Sequence, residues 1–208
     1  FRGDFESYKF YEAIINSHAR ITYGEAQEIV DGSCPEKFSH VENDVNRAAD
    51  LAKILMAKRF SQGSLDLDIP ETEIILDESG TPIDIIKSER LFAHRLIEEL
   101  MLAANVAVAR YFEDHELNGI HRIHENPNSE KLKVLENFLS NFGTKLSLDG
   151  GKIQKKITKA LKKYEGKPEH AILSQLTLRS MQQARYASEP VGHFGLAFDH
   201  YTHFTSPI

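Results

Sequence analysis

Apolar residues recur at Val45, Ala48, Ala49, Ala52, Leu55 and Met56, three and four apart, and this spacing predicts a helix over 41–60. The longest such pattern runs over 89–115, where Ala93, Ile97, Leu100, Met101, Ala104 and Val108 share one face. Elsewhere the period drops to two. Leu65, Leu67 and Ile69 alternate with Ser64, Asp66 and Asp68, which predicts a strand over 63–70 with one buried face. The aromatic and β-branched run 5–15 predicts another strand. The runs 71–76 and 82–87 flank the turn Asp77-Glu78-Ser79-Gly80 and predict a hairpin, and 119–124 predicts one more short strand.

Start and stop signals refine this picture. Thr22 and Glu25 have capping-box spacing, so a short helix begins at Tyr23 and stops near Gly32. Asn128 caps a helix that runs to Phe142 and ends at Gly143. A further helix is expected over 152–164, and Pro168 opens another that continues to about Tyr186. The tail from Gly192 is aromatic and irregular. The fold class expected is α+β, a single unit of mixed helices and short antiparallel strands.

Composition narrows the function classes without choosing one. With 208 residues, 41% apolar and 27% charged, the chain can bury a core, and no apolar run reaches the length of a membrane span. The single cysteine, Cys34, permits no intrachain disulfide and leads to the expectation of a cytoplasmic protein. The net charge of −6 has the wrong sign for a phosphate binder, but it is unevenly spread. Residues 152–208 hold seven lysines, two arginines and four acids, so the first 151 carry the acidic excess. The chain does not open with Met and stops at Ile208, so a stretch of a longer protein is expected.

Several side chains are candidates for chemistry. On the helix over 89–115, His94, Glu98 and Asn105 form a polar stripe beside the apolar one, while Glu99 is expected to face solvent and pair with Arg95. Such a stripe lines a ligand groove or is simply the polar edge of an amphipathic helix; periodicity leaves both open. Asp66 and Asp68 on one strand face suit a hard cation but equally a solvated face. His121 and His124 make H-x-x-H, and His193, His200 and His203 cluster in the tail, without the cysteines or the H-E-x-x-H order of common zinc sites. Lys152, Lys156, Lys159 and Lys163 share a helix face that could follow a phosphate backbone or be merely solvated. Phosphate loops of the G-x-x-x-x-G-K-S/T or G-x-G-x-x-G type are absent from the sequence.

The tail HFGLAFDHYTHFTSPI at 193–208 adds information of another kind. It resembles the stretch of ribonuclease II/R-family catalytic (RNB) domains that precedes an Arg-Arg-Tyr segment, and its H-F-T-S-P-I is similar to the ribonuclease R branch. YKFYEAIINSHARITY at 8–23, HRLIEELMLAANVAVARY at 94–111, HRIHENP at 121–127 and LRSMQQARY at 178–186 resemble the same family in the same order.

The resemblance implies that residues 1–208 are the C-terminal-side portion of an RNB domain, cut at both ends, from a 3′-to-5′ exoribonuclease. Such an enzyme hydrolyses single-stranded RNA to nucleoside monophosphates with magnesium ions. The family's metal-binding aspartates would lie upstream and its catalytic arginine directly after Ile208. No catalytic residue, metal or cofactor is therefore expected in this stretch, which would be inactive alone. By the same resemblance Glu98 matches a glutamate that contacts a ribose 2′-hydroxyl, and Tyr23 a tyrosine that helps to tell RNA from DNA. Asn105 and His124 match family positions with no role assigned. Thr205, Ser206 and Pro207 match a loop lying against the RNA backbone. Leu67 stands where some members carry an aromatic that stacks on bases, and offers no π face. The partner implied is single-stranded RNA, with no membrane; the parent is expected to be monomeric and the excised stretch able to self-associate. Two alternatives remain: a non-catalytic module that binds single-stranded RNA, and a protein-interaction scaffold.

Overall fold

The computed structural model describes residues 2–67, 72–87 and 90–205. Within them the elements run α1 (Tyr23–Val30), α2 (Glu42–Gln62), β1 (Thr72–Leu76), β2 (Pro82–Lys87), α3 (Phe92–Asp114), β3 (His121–Ile123), α4 (Ser129–Asn141), α5 (Ile153–Lys162), α6 (Glu169–Ser180) and β4 (Arg185–Ala187). Short 3-10 turns occupy Glu36–Phe38 and Phe194–Leu196. This is the α+β class with short antiparallel strands that the sequence predicts.

Where the sequence pattern predicts one unit, the chain divides into two compact ones. The first combines Phe1–Arg59, Arg90–Gly119 and Thr202–Ile208, and the second Phe60–Glu89 and Ile120–Tyr201. Both are assembled from separated segments, so no linker composition marks the boundary. In the first unit Ala49 and Ala52 of α2 meet Leu96 of α3, flanked by Val30, Ala48, Phe92 and Leu100. In the second, Leu132, Leu135 and Leu139 of α4 pack with Ile157 and Leu161 of α5 and Leu173 of α6. Phe194 and Met181 close that core.

The caps act as the sequence predicts. Glu25 N–H donates to Thr22 Oγ1 at 3.3 Å, and Thr22 N–H donates back to Glu25 Oε2 at 2.8 Å, a complete capping box in front of Tyr23. A hydrogen bond from Lys37 at 2.6 Å, and then those from Thr22, hold the Glu25 carboxyl down at about 2. Asn128 Oδ1 accepts Glu130 N–H at 2.7 Å and starts α4. Leu91 gives α3 no side-chain cap; Gln27 Oε1 of α1 accepts Ala93 N–H at 3.1 Å instead, so a first-turn donor of α3 is satisfied from another helix.

The hairpin pairs Thr72 with Lys87 through to Leu76 with Pro82, with a register shift at Ile75/Leu76. Its turn is held by Asp77, whose carboxylate accepts Ser79 N–H at 2.8 Å and Thr81 N–H at 2.9 Å; the Ser79 side chain and these amides keep its carboxyl low. A second ladder joins His121–Ile123 to Arg185–Ala187.

Four expectations need correction. Residues 5–15 are not a strand: no ladder partner lies beside them among the described residues, and Tyr11, Ile14 and Ile15 are exposed. Residues 63–67 form no strand either; Leu65 N–H donates to Gly195 O at 2.9 Å, and Leu65 and Leu67 pack on the α4–α6 core, while 68–70 lie outside the described residues. The last helix stops at Ser180, because Met181 turns extended and Arg185–Ala187 bonds to β3. On α3, Ile97 is 40% exposed, whereas Ala93, Leu96, Glu99, Leu102, Asn105, Val106 and Ala109 are buried. Apolar letters lie almost all round this helix, so their period does not select the buried side.

Candidate RNA-contact site

Helix α3 carries the arrangement in the first unit. His94, Glu98 and Asn105 stand four and seven residues apart, so they fall along one side and span about 16 Å of helix. At one end the Tyr23 ring, half exposed at the start of α1, stacks on the His94 imidazole with centroids 4.0 Å apart and an interplanar angle of 24°. At the other end Asn105 is fully buried, and its Oδ1 accepts Thr205 N–H at 2.9 Å. Between them Glu98 keeps 36% of its side chain exposed.

Two arginines surround Glu98. Arg90 Nη2 lies 2.5 Å from Oε2, and Arg59 Nη2 of α2 lies 3.9 Å from Oε1. Arg59 itself is buried and bonded to Glu99, with Nε donating to Oε1 at 3.0 Å and Nη2 making a second, short contact. Glu99 therefore does not point to solvent or pair with Arg95, as the sequence led us to expect; it is 3% exposed and bound to a cation from another helix. Arg59 had a legible signal. It follows Ala52, Leu55 and Met56 at helical spacing, so the apolar period of α2 assigns a charge to the buried side. A charge there requires a partner. Nothing in the pattern named Glu99 as that partner, or marked Arg90.

Tyr23, Glu98, Asn105 and Thr205 belong to the first unit, and Leu67 and His124 to the second. Asn105 was expected on a polar border; the structure puts it inside, holding the Thr205 backbone. Ser206 and Pro207 lie outside the described residues. Leu67 is half-buried and packs on the α4–α6 core. His124 Nδ1 accepts Gly195 N–H at 3.2 Å, and its ring meets His193 edge-on at 5.0 Å. Burial holds the His124 imidazole below its ordinary value, against a smaller opposing effect of the Gln182 backbone. Beside it opens a cavity of about 550 Å³ lined by Asn126, Gln154, Phe198 and Asp199 among others.

Along the basic helix α5 and its two flanking caps, Lys152, Lys159 and Lys163 are exposed, while Lys156 donates to Asp149 O at 2.8 Å. Among the described residues no group of three or more His, Cys, Asp or Glu side chains could hold a metal ion. No helix among them is long and apolar enough to cross a membrane.

A protein-family profile described as RNB domain matches residues 1–208. The chain belongs to the RNB domain family. Its relatives include ribonuclease R of Aquifex aeolicus, 40% identical over 208 residues, which cover 99% of this chain and 30% of that protein. Ribonuclease R 1 of Lactococcus lactis is 40% identical over 205 residues, covering 97% of this chain and 25% of that protein. The chain thus spans less than a third of the length of these relatives. Among solved structures, Mycoplasma genitalium RNase R in complex with ribose methylated single-stranded RNA superposes with a TM-score of 0.80 at 32% identity, over 89% of this chain and 29% of that one. As an RNB family member similar to ribonuclease R, the chain is placed among exoribonuclease relatives.

Proposed function

We propose that the protein carrying this chain is a 3′-to-5′ exoribonuclease that hydrolyses single-stranded RNA to nucleoside monophosphates. In this reading residues 1–208 are the C-terminal-side portion of its RNB catalytic domain and supply wall to the RNA channel. Tyr23, Leu67, Glu98, Asn105, His124, Thr205, Ser206 and Pro207 are the residues this reading assigns to RNA binding. The parent works in the cytoplasm as a monomer.

The observation that carries the reading is the half-exposed Glu98 carboxylate on α3, one turn from the His94 on which Tyr23 stacks. A carboxylate accepts from a ribose 2′-hydroxyl and finds no such donor on deoxyribose, so it can separate RNA from DNA. The aromatic pair beside it offers a face to a sugar or base. Asn105 reaches no ligand itself in this arrangement; it keeps the Thr205 segment against α3. The Mycoplasma relative's complexes with single-stranded and double-stranded RNA support RNA as the ligand class.

Hydrolysis in such an enzyme uses magnesium to activate water. The described residues do not fit a magnesium site, since no sufficient set of ligands converges among them. The metal would be held by parts of the protein outside residues 1–208.

The test uses the full-length protein with 3′-tailed RNA and the matching DNA. Magnesium-dependent release of nucleotides from the RNA 3′ end is expected, and Glu98→Ala should relax the preference for RNA over DNA. Residues 1–208 by themselves should release nothing. Binding of RNA without cleavage by the full-length protein would favour a non-catalytic module, and full activity of the 208-residue stretch would refute the division of labour.

A further inference from the structure

Glu98 is flanked by two arginines of different character. Arg59 has a side chain only 8% exposed, is fixed by the buried Glu99 carboxylate, and stands 3.9 Å from Glu98. Arg90 precedes α3, has a side chain 41% exposed, and touches Glu98 at 2.5 Å from the solvent side. An ion pair that open to water is weakly held and readily exchanged. A guanidinium presents five donors in a planar fork that fits a phosphate at least as well as a carboxylate.

Ribose geometry connects the two side chains. The 2′-hydroxyl and the 3′-phosphate sit on adjacent carbons of one sugar. A guanidinium already in contact with the carboxylate that accepts the hydroxyl is therefore within reach of the neighbouring phosphate. Charge gives the same answer. Glu98 is a half-exposed carboxylate, and a phosphate approaching it is repelled unless a cation stands between. Arg59 is bonded to the buried Glu99, whereas Arg90 meets Glu98 with 41% of its side chain exposed.

We propose that Arg90 is a phosphate-binding residue, transferring from Glu98 to the phosphate beside the ribose whose 2′-hydroxyl Glu98 accepts, while Arg59 stays as the fixed cation. This rests on the reading of Glu98 given above. The two residues then divide the work. Arg90 supplies affinity for any phosphate backbone, RNA or DNA. Glu98 supplies the discrimination between them.

The experiment measures binding of full-length protein to single-stranded RNA and to DNA of the same sequence across a range of salt concentrations, for wild type, Arg90→Gln, Arg90→Lys and Glu98→Ala. Loss of one phosphate contact should make the slope of log affinity against log salt shallower by about 0.7 for a single strand. Arg90→Gln is expected to show that change for both nucleic acids, with the RNA-to-DNA affinity ratio kept, and Arg90→Lys to restore the slope. Arg90→Gln with an unchanged slope and a collapsed ratio would overturn the proposal, because Arg90 would then serve only to hold Glu98. Glu98→Ala with the wild-type ratio would instead bring down the reading of Glu98, whatever Arg90 does.

Discussion

The Asn105 side-chain oxygen accepts the Thr205 backbone N–H at 2.9 Å, which ties the middle of α3 to a segment one hundred residues later. Asn105 is 1% exposed and Thr205 is half-buried, so the Asn105 side chain is held out of water and has this backbone donor as a partner. A polar residue in the buried side of a helix is tolerated because a backbone donor meets it. The same contact determines where the Thr205 segment lies relative to the Glu98 turn.

Asn105→Ala should therefore destabilise the protein by about 0.5–1.5 kcal/mol, the usual net worth of one hydrogen bond. Chemical denaturation measures it. Because the lost bond positions the Thr205 segment, RNA affinity should fall as well. A variant as stable as wild type would show that the bond is not maintained in solution.

The buried Arg59–Glu99 pair gives a second prediction. Both side chains are nearly sealed, and each neutralises the other. Glu99→Leu alone leaves Arg59 charged and unpartnered by its closest carboxylate, and should cost about 3–5 kcal/mol. The double variant Arg59→Met with Glu99→Leu should recover most of that loss, since an apolar pair of similar volume needs no compensating charge. Thermal or urea unfolding of the three variants forms the cycle; equal stability of the single and the double variant would contradict the pairing.

His124 makes stability depend on pH. Burial lowers its folded pKa below the ordinary 6.5, and its Nδ1 must stay unprotonated to accept Gly195 N–H. His121 is shifted in the same direction, by burial first and by the nearby His200 second. A depressed imidazole pKa means that the unfolded chain binds the proton before the folded one does. Stability is thus complete above the unfolded value and falls as the pH drops from about 6.5 towards the folded pKa. Urea midpoints between pH 8 and pH 5 should decline, and His124→Asn should flatten the decline. A slope identical in the variant would assign the effect to other groups.

Much of the secondary structure was legible because local chemistry specifies it. The Thr22–Glu25 box, the Asn128 cap and the Asp77 turn each satisfy backbone groups within a few residues, and all three stand where their letters predict. Strands were read less well. Residues 5–15 carry β-forming side chains, but a ladder needs a second chain segment alongside, which no local pattern supplies. The 63–67 segment kept its buried leucines and made its backbone bond to Gly195 instead of to a strand.

The candidate site divides in the same way. Tyr23 and Glu98 were readable from family-like motifs, and the His94–Glu98–Asn105 stripe from helix spacing alone. Periodicity placed Asn105 at the solvent border and Glu99 outside, and both are buried. Arg90 was invisible: it enters the candidate site only through its contact with a carboxylate eight residues away.

The sequence by itself determined the helix starts, the hairpin, the α+β class and the family, since each is written in contiguous letters or in their order along the chain. Only the tertiary structure decided which side of α3 is buried, that Arg59 answers Glu99, and that Asn105 holds Thr205. The physical reason is that burial and charge pairing act through space. Segments from either end of the chain must come together before a buried carboxylate or amide acquires the partner that makes its burial tolerable.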